Sequence, residues 1–65
     1  METIGERLRL ERLLAMVPQY KVAIALGICA TRLSEIENGK RQPSPEMVSQ
    51  IRAAILEVGG SGIRN

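Results

Sequence analysis

Helix breakers and caps cut this chain into four short segments, and no other feature constrains its fold as much. Pro18 disfavours helix in the residue before it. Gly27 and the pair Asn38-Gly39 tolerate the left-handed geometry at which helices end. Ser44-Pro45-Glu46 combines a Ser cap, a proline preorganised for the first helical position and an acidic first turn. At the start, Thr3 and Glu6 have the spacing of a capping box, in which hydroxyl and carboxylate each satisfy a free backbone N–H. The expected helices run from Ile4 to about Met16, from Pro18 to Leu26, from Ala30 to Asn38, and from Pro45 until Gly59-Gly60 stop the last. Ser61 to Asn65 carry no periodicity.

Within these segments the apolar residues recur at helical spacing and nowhere alternate, so the fold class is all-α. In helix 1, Ile4, Leu8 and Ala15 share one face, while Leu10, Leu13, Leu14 and Val17 form a second. Two apolar faces on one short helix mean that one packs the core. Part of the other packs with it, and the remainder is free to meet something else. Helix 4 carries Met47, Ile51, Ala54 and Val58 on one face with Val48 and Ile55 beside it. The expectation is a compact four-helix domain over residues 1–58, with room for a short fifth helix, and a flexible tail or linker over 59–65.

A chain of 65 residues makes one domain at most and buries only about 60% of its extended surface. Its 45% hydrophobic content is ample for a helical core and too high for a disordered chain. Phe and Trp are absent and Tyr20 is the sole aromatic, so the core is aliphatic and stacking of single-stranded bases lacks its ring platforms. One cysteine and no histidine exclude an internal disulfide, the usual zinc ligand sets and any recognisable catalytic constellation. No metal or cofactor is expected, and no enzymatic activity. The longest uncharged stretch, Val22 to Thr31, is far shorter than the ~20 apolar residues of a membrane span. The start lacks the pattern of a signal peptide. A cytoplasmic, nucleoid-associated protein of prokaryotic or phage type is expected, with no membrane partner. The net charge of +2 is compatible with nucleic acid but does not identify it.

The informative stretch is Gln19 to Gly39. Two short helices joined by about three residues with Gly in the turn have the spacing of a helix-turn-helix. Ala23 is small where the second helix must approach the first. Ile28, Leu33 and Ile36 anchor the third from behind, leaving its outer side free to enter a major groove about 12 Å wide. From Ile4 to about Ile55 the chain resembles the Cro/repressor-type helix-turn-helix group, the XRE family. The matching residues include Ile4-Gly5-Glu6-Arg7-Leu8-Arg9, Arg12, Gln19, Val22-Ala23, Leu26-Gly27-Ile28, Leu33-Ser34, Ile36-Glu37-Asn38-Gly39, Arg41 and Pro43.

The resemblance implies a lambda-repressor-like fold and a role for each matching residue. Gln19 would contact DNA and brace a side chain of helix 3. Ala30, Thr31, Arg32, Ser34 and Glu35 would form the groove-facing side of the recognition helix. Asn38, Lys40 and Arg41 fall where family members contact phosphates, and Arg12 with Glu37 matches an ion pair tying helix 1 to helix 3. In kind, the chemistry agrees. Arg32 can pair bidentately with guanine and Gln19 with adenine, while Thr31 can bond a phosphate or touch a thymine methyl. Lys40, Arg41 and Lys21 can neutralise phosphates. Each also has a plain reading as a solvated surface residue, and for Glu35 the plain reading is favoured, since a carboxylate repels phosphate.

The sequence departs from the family at several positions. Cys29 stands where Ser or Thr caps helix 3; it reads as a small buried helix-start residue before a redox sensor. Pro18 replaces the cap of helix 2. Glu11 occupies a position that is usually Leu, so either it is partly buried against an Arg or helix 1 is shifted in register. The chain also ends after helix 4, whereas many relatives add a fifth. Taken together, the expected function is a double-stranded DNA-binding transcriptional regulator, a repressor by preference, acting as a symmetric homodimer. The rival is a protein-interaction module of antitoxin or partner-binding type, with Leu14, Tyr20, Ile24 and Leu56 as its surface.

Overall fold

A computed structural model describes residues 3–63, with side chains through 59. The described residues form α1 (Ile4–Leu14), α2 (Gln19–Leu26), α3 (Ala30–Glu37) and α4 (Pro45–Ile63). The all-α class and the order of elements follow the sequence. The capping box is present: Glu6 N–H donates to Thr3 Oγ1 and Thr3 N–H to Glu6 Oε1, both at 3.1 Å. Ser44 Oγ accepts from Met47 N–H at 3.1 Å and opens α4. Among the described residues no helix is long and apolar enough to cross a membrane.

All four helices contribute to one core. Leu8 comes from α1, Val22 and Ala23 from α2, Leu33 and Ile36 from α3, and Ile51, Ala54 and Ile55 from α4, with Val17 from the α1–α2 turn. At about 25 cal/mol per Å² of apolar surface removed from water, this aliphatic cluster is the main stabilising term. Helices α1 and α2 each pack against both α3 and α4. Ile4, Ala15, Leu26, Ile28, Met47, Val48 and Val58 close its edges.

The first three helices end in the same way. A residue in the left-handed region and its successor turn their N–H groups back onto the helix, satisfying carbonyls left open at a C-terminus. Gly27 (φ 74°) closes α2, with its N–H on Ile24 O and that of Ile28 on Ala23 O. Gly39 (φ 79°) closes α3, with its N–H on Ile36 O and that of Lys40 on Glu35 O. In α1 the residue is Met16 (φ 60°), with its N–H on Leu13 O and that of Val17 on Arg12 O. Helix 1 therefore stops at Leu14, two residues before the expected end, because the chain must reverse to bring Val17 into the core. A Cβ in that region costs roughly 1–2 kcal/mol, and at 87% exposure the Met16 side chain recovers little by burial. Met16→Gly is expected to stabilise the domain by about 0.5–1 kcal/mol, the strain relief less the added freedom of the unfolded chain. Urea denaturation checks this; an unchanged or lower midpoint contradicts it.

Three further expectations are corrected. Pro18 lies just outside α2 in extended geometry (φ −66°, ψ 147°), so the helix begins at Gln19 and has no side-chain cap. Glu37 rather than Asn38 is the last residue of α3. Gly59-Gly60 do not stop α4, which continues to Ile63. Gly59 is buried, and a Cβ on it would lie 3.2 Å from both Ala15 Cβ and Val17 Cγ2, so this glycine serves close approach of α4 to the end of α1. The last two residues of the expected tail, 64 and 65, lie outside the described residues.

The second apolar face of α1 divides. Val17 is core, but Leu10, Leu13 and above all Leu14 (76%) stay exposed. Glu11, the departure in helix 1, is half-buried. Its carboxylate receives Arg52 of α4 bidentately, Nε to Oε1 at 3.1 Å and Nη2 to Oε2 at 3.0 Å. The register of α1 is unshifted, and a charged pair replaces an aliphatic contact.

Candidate nucleic-acid interface

Helix α3 is held from one side and open on the other. Leu33 and Ile36 are buried and Ile28 is half-buried beneath it. On the outer side Ala30, Thr31 and Arg32 are exposed, and Ser34 and Glu35 are half-buried. The helical repeat separates these sets, since residues three or four apart share a face. Its N-terminus is uncapped by any side chain: Cys29 occupies the cap position without a side-chain hydrogen bond and is exposed, against the expectation that it is buried.

At the other end of α3, Asn38 Nδ2 donates to Ser34 Oγ at 3.3 Å. Arg41 Nε donates to Glu35 Oε1 at 3.2 Å, and Arg41 N–H to the Glu35 carbonyl, also at 3.2 Å. Glu35 is thus a counter-ion of Arg41. Exposed pairs of this kind contribute under about 1 kcal/mol, so Arg41 is free to exchange it for another anion. Lys21 and Lys40 are exposed.

Behind this surface lies a buried polar knot. Arg12 donates to Glu37 through Nε (2.8 Å to Oε2) and Nη2 (3.0 Å to Oε1), and through Nη1 to the Val17 carbonyl at 2.9 Å. The fork of a guanidinium matches a carboxylate in this bidentate way. Gln19 Nε2, at the start of α2, adds a bond to Glu37 Oε1 at 3.1 Å. The Arg12–Glu37 pair expected from the sequence is therefore in place, and the α3 side chain that Gln19 meets is Glu37. No buried side-chain N or O among the described residues lacks a partner. Sequence reasoning missed the close approach of Gly5 on α1 to the Ile36 carbonyl of α3, which a Cβ would meet at 1.7 Å. Only the unusual presence of glycine inside a helix pointed to it.

The two-helix unit α2–α3, its glycine turn and its open outer face recur in a known pattern. No curated protein and no solved structure matches the chain. The family described as the helix-turn-helix domain matches residues 3–61, nearly the whole sequence, and the chain belongs to that family.

Proposed function

We propose that the protein is a sequence-specific double-stranded DNA-binding regulator of the Cro/repressor type, a repressor by preference, that reads the major groove with α3. The observation carrying this reading is the division of α3: Leu33, Ile36 and Glu37 lock one side into the core while Ala30, Thr31 and Arg32 stand clear on the other. A helix fixed from behind keeps its outer side chains at a constant depth, as base readout requires. In this reading Arg32 carries base contact, with Thr31 and Gln19 beside it. Lys21, Lys40, Arg41 and Asn38 contact phosphates, and Ala30, Ser34 and Glu35 complete the reading face.

A single α3 reaches one half-site. The working form is therefore a symmetric homodimer on half-sites about 34 Å apart, its interface on α4 or on the exposed α1 residues Leu10, Leu13 and Leu14. A cytoplasmic setting accompanies this role. The exposed Tyr20, Ile24 and Leu56 favour the second reading, a partner-binding module.

Selection of bound duplexes from a random pool separates the two: an enriched motif is expected, and none at low salt contradicts DNA reading. With the selected duplex, three phosphate-neutralising cations predict a log–log salt slope of about −3 per monomer. Arg32→Ala is expected to weaken operator binding by about 1–3 kcal/mol. A titration that ignores salt and responds to Tyr20→Ala supports the partner-binding module instead.

A further inference from the structure

Gln19 ends in an amide, whose oxygen accepts and whose nitrogen donates, so its orientation decides what it can offer. Its neighbour in the fold, Glu37, is 2% exposed and held by three donors: Arg12 Nε, Arg12 Nη2 and Gln19 Nε2. A carboxylate gripped by a guanidinium has only acceptors to present. Gln19 must therefore turn its nitrogen inward, because the reverse orientation would set carbonyl oxygen against carboxylate oxygen. One Nε2–H is used in the 3.1 Å bond to Glu37 Oε1, while Oε1 of Gln19 and its second Nε2–H carry no bond among the described residues. An acceptor and one donor of the amide thus remain for another partner. Gln19 is half-buried and heads α2, and its amide is held by a residue in the core.

We infer that Glu37 is a positioning residue for DNA recognition: anchored by Arg12, it holds the nitrogen of Gln19 so that α2 presents the amide oxygen to the duplex. This rests on the DNA-reading function proposed above. A fixed amide oxygen can accept from a base amino group such as adenine N6, whereas a phosphate, which only accepts, has no use for it. Orientation costs nothing at binding, because folding has already restricted the side chain.

Affinities of the wild type, Gln19→Ala, Glu37→Gln and the double variant are compared on the selected operator and on an unrelated duplex, where each is folded by circular dichroism. Either single change is expected to lower operator affinity about tenfold, to leave the unrelated duplex within about twofold, and to keep the salt slope. The double variant should be no worse than the weaker single, since both remove one device. Should Glu37→Gln fail to fold, Arg12→Met with Glu37→Leu frees Gln19 equally, and the same loss is expected. In the wild type, the side-chain amide of Gln19 should exchange more slowly than those of the exposed Gln42 and Gln50. Multiplicative losses in the double variant, equal losses on both duplexes, or a Gln19 amide exchanging like the other two would overturn the inference. A wild type that prefers no duplex sinks the DNA-reading function itself, a separate and recognisable result.

Discussion

Gly5→Ala is expected to remove about 3 kcal/mol of the domain's stability, although it adds one methyl group to a helix and alanine is the better helix former. A Cβ at this position would lie 1.7 Å from the Ile36 carbonyl oxygen and 2.8 Å from its carbon. Both are backbone atoms, so no rotamer relieves the clash; α1 and α3 must separate by more than an ångström. Leu8 of α1 and Leu33 and Ile36 of α3 all belong to the core that this separation would loosen. Overpacking of a core typically costs about 1–3 kcal/mol, and the upper end applies where only backbone can give way. A chain of 65 residues has roughly 3–10 kcal/mol in total. Gly27→Ala is the control: nothing lies within 4 Å of its Cβ, so only the left-handed backbone penalty of about 1 kcal/mol remains. Urea denaturation followed by circular dichroism ranks the two. A Gly5→Ala midpoint at or above that of Gly27→Ala contradicts the close-packing account.

Arg12→Met is expected to be comparably damaging for the opposite reason, an absence rather than a clash. It leaves Glu37 buried with only Gln19 as donor and deprives the Val17 carbonyl of its bond from Arg12. Breaking one side of a buried pair costs about 3–5 kcal/mol, because the surviving charge keeps its desolvation penalty and loses its partner. Adding Glu37→Leu to Arg12→Met removes that charge and restores apolar volume. The double variant is therefore expected to lie within about 1–2 kcal/mol of the wild type. A double-mutant cycle by denaturation measures this directly. If the two changes simply add, the pair contributes nothing specific, and the knot behind α3 is not what seats it.

The positions most readable in the sequence were those governed by their immediate neighbours. Thr3 and Glu6 form the expected box, Ser44 caps α4, and Gly27 and Gly39 close α2 and α3. Each is satisfied within a few residues, so spacing alone suffices to recognise it. The core faces of α3 and α4 were equally legible, since Leu33, Ile36, Ile51, Ala54 and Ile55 recur at helical spacing. Errors arose where a local signal had a non-local use. Gly59 resembles a helix stop but makes room for Ala15 and Val17. Met16 resembles a continuing helix, yet it adopts the conformation that glycine takes at the other two ends. Cys29 suggested a buried cap and is exposed.

At the candidate interface, the resemblance supplied the Arg12–Glu37 pair and placed Gln19 against α3. The tertiary structure decided which side chain Gln19 meets, that Glu35 serves Arg41, and that Glu11 is matched by Arg52. These partners are separated along the chain or cross a turn, and composition cannot choose among nine basic and seven acidic residues. The sequence by itself determined four helices, their caps and the side of each that faces inward, because hydrogen bonding and periodicity act over one or two turns. Only the tertiary structure decided how closely α1 meets α3, which part of the second α1 face stays uncovered, and which buried carboxylate the Gln19 amide meets. Those depend on where distant backbones come to rest.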